Sequence, residues 1–300
     1  MVRAPDIPPP VEPTRRPVTR FPAGATDCHA HVFGPQERYP LLAKTHFVPH
    51  ECPLPSYLRM LRQIGCSRAV LVQPSVYGTD NSAIEDALLQ ADMPMRAVAV
   101  VGEDVTDREL ERLHGLGFRG IRINTASGTA GLRIEHARLL APRIRALGWH
   151  LQFYVNFRQQ PDIEAALAAL DIPIVIDHFA RILTTEGTEA PAFKAVLRLL
   201  ARDNCFAKLM GPYFVSDDYP AFADIAPFAR VMAAVAPDRV VWGTDWPHAS
   251  ARRKMPDDGD LADLLAEWIP DERLRHRVLV TNPQRLYGFE TDEAAVGDGR

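Results

Sequence analysis

Histidines and aspartates in this chain sit where a chemical reason is needed for them. The segment Asp27-Cys28-His29-Ala30-His31-Val32 places two imidazoles two residues apart in an apolar run. On a strand such a pair projects to one side, which packing does not require but a polar site does. Asp177-His178 closes a second run, PIVIDH at 173–178. Thr244-Asp245 closes a third, VVWGTD at 240–245, followed by Trp246-Pro247-His248. Imidazoles and a carboxylate brought together can hold a divalent ion or move protons to and from water. Singly, each has a plainer use. Asp245 could cap the next turn, Asp177 could orient His178, and a lone buried histidine is an ordinary core residue. Arg122, Asn124, Gln152, Tyr154 and Lys208 add polar groups to three further apolar runs. The joint occurrence of His29, His31, His178 and Asp245 at the ends of such runs marks the candidate site. His46, His50, His114, His136, His150 and His276 lack that setting and read as structural or exposed.

The elements that must position these residues follow from hydrophobic spacing. Eight β-rich apolar runs lie at 27–32, 69–74, 97–101, 120–124, 150–155, 173–178, 205–210 and 240–245. Between them, segments at 56–65, 83–91, 107–117, 137–148, 162–170, 191–203 and 227–237 repeat apolar residues at three- and four-residue intervals, the spacing of one helix face. Gly65, Gly117 and Gly148 fall where three of these helices should stop. Strands apolar on both faces that alternate with helices form a parallel sheet covered by helices. Eight of them favour a closed (β/α)₈ TIM barrel, which uses about 250 residues and carries its chemistry at the C-terminal strand ends. No G-x-G-x-x-G follows the first strand and no P-loop occurs, which removes support for nucleotide-binding α/β folds.

Composition narrows the class further. The chain has 300 residues, 47% hydrophobic and 24% charged, with a net charge of −4. That balance excludes a basic nucleic-acid binder. No apolar run reaches the roughly 18 residues that span a bilayer, and the N-terminus has no signal-peptide core, so a cytoplasmic protein is expected. Cys28, Cys52, Cys66 and Cys205 form no CxxC pair and read as reduced, buried thiols. Residues 1–24 hold Pro5, Pro8, Pro9, Pro10, Pro13, Pro17 and Pro22. They are expected to form an extended arm that wraps the barrel or reaches another subunit of a homo-oligomer. Residues 25–289 would be the barrel domain and 290–300 an acidic tail.

The motifs D-C-H-A-H-V-F-G-P, V-I-D-H and W-G-T-D-W-P-H together resemble the amidohydrolase superfamily, in particular its lactonase branch. GFRGIRIN (117–124), LGWH (147–150), MPDDG (255–259) and TNPQRLYGF (281–289) extend the likeness over most of residues 25–289. The resemblance implies a distorted barrel that hydrolyses a cyclic ester, with His29 and His31 from strand one, His178 from strand six and Asp245 from strand eight. In metal-dependent members a strand-five histidine and often a strand-four lysine complete the metal site. Here strand five reads HLQFYV and strand four offers Arg122, so the expectation is no metal cofactor. One Zn²⁺ held by His29, His31, His178 and Asp245 stays as the alternative, with a Zn-dependent hydrolase or decarboxylase as the corresponding activity.

Relatives that take a pyrone dicarboxylate grip it with several arginines, and Arg122 and Arg181 match two of those positions. Gly128 and Phe214 stand where two more would be, which points to a lactone with one carboxylate or to a neutral sugar lactone. Asp245 would activate water, His29, His31 and His178 would polarise the carbonyl, and Arg122, Arg181, Tyr154 and His248 would hold the substrate. Ser75 and Tyr77 would line the pocket. A barrel that only binds a small molecule is the reading from another class.

Overall fold

The computed structural model describes residues 7–290 except 14, 127–131, 161 and 252–254. Every apolar run expected to be a strand is one. In chain order they are β1 (Thr26–Ala30), β2 (Arg68–Val72), β3 (Met95–Ala99), β4 (Phe118–Asn124), β5 (His150–Tyr154), β6 (Ile174–Ile176), β7 (Cys205–Leu209) and β8 (Val240–Trp242). They run in that order as one parallel sheet of eight strands. The seven expected helices are α1 (Leu54–Ile64), α2 (Ser82–Gln90), α3 (Asp107–Leu116), α4 (Ile134–Arg145), α5 (Ile163–Ala168), α6 (Pro191–Leu200) and α7 (Ala226–Val235). Gly65, Gly117 and Gly148 all take left-handed φ values, 89°, 107° and 67°, as helix stops require. Spacing did not mark α8 (Asp258–Trp268), α9 (Glu272–His276) or α10 (Asn282–Tyr287), the last two joined by a π-helical turn at Arg277–Thr281.

Alternation along the strands sorts the core into two layers. Leu71, Ile121, Ile123, Leu151, Phe153, Ile174, Ile176 and Leu209 face the helices in the main apolar cluster. Cys28, Val70, Val72, Val98, Val175, Phe206 and Val241 fill the barrel with Leu286, Tyr287 and Phe289. The α10 segment thus plugs one end of the barrel, where Arg68 and Arg96 stack on Phe289. Each buried apolar side chain contributes about 1.5–3 kcal/mol.

The ring closes between β8 and β1 without a regular ladder. The Asp245 amide donates to the His29 carbonyl at 2.9 Å and the His31 amide to the Trp246 carbonyl at 2.8 Å. The fully buried Asp27 carboxylate accepts from the Thr244 amide (2.9 Å), the Thr244 hydroxyl (2.6 Å) and the Tyr57 hydroxyl (2.9 Å).

The described part of the proline-rich arm lies on its own barrel. Arg15 pairs with Asp260 and Asp263 of α8 at 2.9 and 2.6 Å, Gln63 of α1 donates to the Pro13 carbonyl at 3.3 Å, and the Ile7 amide donates to the Val48 carbonyl at 2.9 Å. The acidic tail from 291 onward lies outside the described residues. All four cysteines are free and buried. Among the described residues no helix is long and apolar enough to cross a membrane.

Candidate active site

Several strands end before their apolar runs do. β1 stops at Ala30, β6 at Ile176 and β8 at Trp242, so His31, Asp177, His178 and Asp245 stand just beyond the strands. After Asp177 the backbone makes one left-handed turn, with φ of 48°, 49°, 55° and 62° at His178, Phe179, Ala180 and Arg181. Such a conformation costs roughly 1–2 kcal/mol per non-glycine residue. It is held by the Ala180 amide on the Asp177 carbonyl (2.9 Å) and the Ile182 amide on the Phe179 carbonyl (3.1 Å). The turn places His178 and Arg181, three residues apart, on the wall of one cavity. Asp245 is also left-handed, at φ 64°.

That cavity, about 920 Å³, opens at the C-terminal strand ends and is lined by His31, His178 and Asp245. Arg122, Arg181, Tyr154 and Ser75 line it too, as expected, while Phe214 and Tyr213 complete a wall. His46, expected to be structural or exposed, stands at the rim with Phe47, Ile7 and Pro8. Three expected site residues are not on the wall. His29 is fully buried behind it, and His248 is likewise 0% exposed. Tyr77 is buried, and its hydroxyl accepts from the Gly34 amide at 3.3 Å. The loop residue Gly128 lies outside the described residues.

From Arg122 on the wall inward, three charges share one buried cluster. Asp177 Oδ2 lies 3.2 Å from both Nε and Nη2 of Arg122, and 3.0 Å from Gln152 Nε2. Lys208 Nζ donates to the Cys28 carbonyl (2.8 Å) and Gln152 Oε1 (2.8 Å), lies 3.2 Å from His29 Nδ1, and is 3.8 Å from Asp177 Oδ1. Burial lowers the Lys208 ammonium to about 8.

These partners assign protons. Burial holds His29 and His178 well below the ordinary histidine range and His31 at about 3, so all three are neutral imidazoles near neutrality. A neutral ring has one donor and one acceptor nitrogen. His31 Nδ1 lies 2.6 Å from the Val72 carbonyl, which only accepts, so Nδ1 carries the proton and Nε2 keeps its lone pair. His29 Nδ1 has two donors within hydrogen-bond distance, Lys208 Nζ at 3.2 Å and Gln152 Nε2 at 3.4 Å, and Asp177 Oδ1 farther off at 3.6 Å, so its proton sits on Nε2. The Nε2 atoms of His29 and His31 lie 3.6 and 3.7 Å from the same oxygen, Asp245 Oδ1. His178 Nδ1 is buried without a partner, which leaves Nε2 as the nitrogen a ligand can meet. Burial pushes Asp245 up to about 7, and the Tyr213 hydroxyl donates a short hydrogen bond to its Oδ2.

A family model described as amidohydrolase matches residues 26–289. The chain belongs to the amidohydrolase family. Proteins similar to it include a 4-sulfomuconolactone hydrolase of Rhizobium radiobacter, 37% identical over 89% of this chain and 91% of that protein. A 2-pyrone-4,6-dicarboxylate hydrolase of Comamonas testosteroni is 34% identical over 91% of this chain and 92% of its own. A D-galactarolactone isomerase of Agrobacterium fabrum is 32% identical over 89% of this chain and 92% of its own.

Sequence reasoning missed Tyr213, Asp258 and His46. Tyr213 and His46 carried no spacing signal, and Asp258 was visible only as part of the MPDDG block.

Proposed function

We propose that this amidohydrolase is a lactonase that opens the ring of an anionic lactone without a metal ion. The observation that carries the reading is that Asp245 Oδ1, 3.7 Å from His31 Nε2, shares one cavity lining with His178 and the two guanidinium groups of Arg122 and Arg181. A water on that floor gives one hydrogen to Asp245 Oδ1 and the other to the His31 Nε2 lone pair, leaving its oxygen free to attack the lactone carbonyl. His178 donates to the carbonyl oxygen as charge develops there, a contribution of about 10²–10³ in rate. The proton taken by Asp245 passes to the departing ring oxygen, and the product is a hydroxy acid. His29, out of reach of substrate, points its Nε2 proton toward Asp245 Oδ1 from 3.6 Å, beyond hydrogen-bond distance. The protons therefore divide the roles among three histidines expected to act alike.

The substrate's anion is assigned to Arg181. Among the described residues it has no carboxylate partner: it lies 3.2 Å from the Tyr154 hydroxyl and stacks on Phe214 at 4.8 Å. Arg122, partly engaged by Asp177, stacks on the Tyr154 ring at 5.1 Å and extends the cationic wall. Phe214 gives a second anion no partner on its side of the cavity, and an unpaired buried charge is costly. A pH-indicator screen tests this, because ring opening releases acid and migration of the ester does not. Lactones with one carboxylate should give the highest kcat/KM. Phe214→Arg should raise kcat/KM for a pyrone dicarboxylate about tenfold relative to them, the equivalent of about 1.4 kcal/mol. Silence across carboxylated, neutral and pyrone lactones would reject lactonase activity.

The donor set does not suit Zn²⁺. His29, His31 and Asp245 bring ligand atoms within 4.8 Å of one another, as do His29, Asp177 and His178. Both sets need His29, whose Nδ1 has the Lys208 ammonium within hydrogen-bond distance at 3.2 Å and the Asp177 carboxylate only at 3.6 Å, so its proton sits on Nε2. A ligating histidine instead donates its far N–H to a carboxylate or carbonyl. Dialysis against a chelator should therefore leave activity intact. With Asp245 lifted to about 7, kcat/KM should rise with pH and level off above about 7, since only the carboxylate accepts the water proton. Activity lost with zinc and restored by it would overturn the metal-free reading.

A further inference from the structure

Asp245 offers two oxygens, and the fold treats them differently. Oδ1 faces His29, His31 and the cavity, whereas Oδ2 accepts from Tyr213. Tyr213 sits on the short helical turn Pro212–Phe214 after β7, its ring against the cavity. Its hydroxyl is also 3.3 Å from His248 Nδ1, and His248 Nε2 lies 3.1 Å from Asp258 Oδ1 at the start of α8. His248 and Asp258 are both 0% exposed. A buried acid–imidazole pair is a poor source of stability, and neither residue reaches the cavity. We propose that Tyr213 is a positioning residue which, backed by His248 and Asp258, reserves Asp245 Oδ2 and directs proton transfer to Oδ1.

Donors and acceptors alternate from Asp258 to Asp245. Asp258 only accepts, so His248 Nε2 carries a proton. Tyr213 has one proton, given to Asp245 Oδ2, so its oxygen can accept one from His248 Nδ1. Each donor from His248 to Tyr213 then has an acceptor, with His248 an imidazolium between two oxygens, while Asp258 Oδ2 is buried without a hydrogen-bond partner. Burial opposes that charge, but the carboxylates of Asp258, Asp245 and Asp27 together outweigh it and raise His248. Around Asp245 the remaining titratable groups are His29 on β1 and His31 just beyond it, Arg122 on β4, Tyr154 on β5, and Asp177 and His178 beyond β6. None of them touches Oδ2. The Tyr213 bond therefore turns the carboxylate and favours its charged form.

This inference rests on Asp245 as the base, and its test separates the two. Tyr213→Phe keeps the ring on the wall and removes only the hydroxyl. The expected result is a fall in kcat of about 10–100-fold, as for a slight misplacement of a reacting group. KM should stay unchanged, and the acid limb of the pH profile should move up by about one unit. Asp258→Asn still accepts from His248 but removes the charge behind it, and should shift the limb in the same direction. Thermal unfolding of both variants gives the fold control, and Asp258→Asn carries the kinetic test if Tyr213→Phe does not fold. Carboxyl ¹³C NMR of Asp245 measures the same shift with no lactone present. Unchanged kcat and titration in the folded variants, or a rise in KM alone, would overturn the proposal. A native enzyme inert on every lactone would sink the lactonase reading while the NMR shift still judged the Tyr213 assignment.

Discussion

Asp245→Asn should lower kcat by about 10²–10⁴-fold, the range that a positioned general acid–base supplies, while the protein stays folded. Asparagine matches the carboxylate in shape, and its carbonyl can still accept from Tyr213. Its amide cannot take a proton from water or return one to the leaving oxygen, so both halves of the reaction fail together. Stability should move the other way. Because burial lifts Asp245 to about 7 in the folded state, above the ordinary 3.8, its stabilising contribution is complete below the unfolded value. That contribution is lost as pH rises through about 7. The neutral variant escapes this loss and should be at least as stable as the parent in alkaline buffer. Steady-state kinetics paired with urea unfolding checks both statements. Near-native turnover would remove Asp245 from the mechanism.

Asp177→Asn should be the most destabilising single change at the site. Asp177 is the carboxylate facing both Arg122 and Lys208, at 3.2 and 3.8 Å, and neither cation is exposed enough for water to take its place. Removing one partner from a buried charge cluster costs about 3–5 kcal/mol because it strands the other charge. Two cations would be stranded here. Urea unfolding should show a loss of that size, and a loss below about 1 kcal/mol would mean that other groups already neutralise the pair.

Much of this was readable from residue order. Strands buried on both faces leave continuous apolar runs, so all eight were visible, and a polar residue ending such a run has few explanations other than a site. Arg122, Arg181, Tyr154, Ser75, His31, His178 and Asp245 all reach the cavity. What escaped is set by tertiary approach. Tyr213 and Asp258 come from separate segments and meet Asp245 and His248 only once α8 docks. His248 and Tyr77, expected at the substrate, are turned away from it, since nothing in W-P-H or S-V-Y tells which face of a loop a side chain takes. The left-handed turn at His178 was equally hidden, because no glycine marks it. The later helices went unmarked because their apolar residues sit within acidic and proline-containing stretches. The arm showed its extended character through proline content, but not that Ile7 and Pro8 line the cavity.

The join between the first and last strands has a consequence for how the enzyme comes into being. His29 and His31 belong to one side of that join and Asp245 to the other, and the same few bonds that zip Asp27 to Thr244 also bring the base to its imidazoles. A chain with every helix and strand formed but the cylinder still gaping would have no working centre. Turnover is thus a direct gauge of whether the circle has shut.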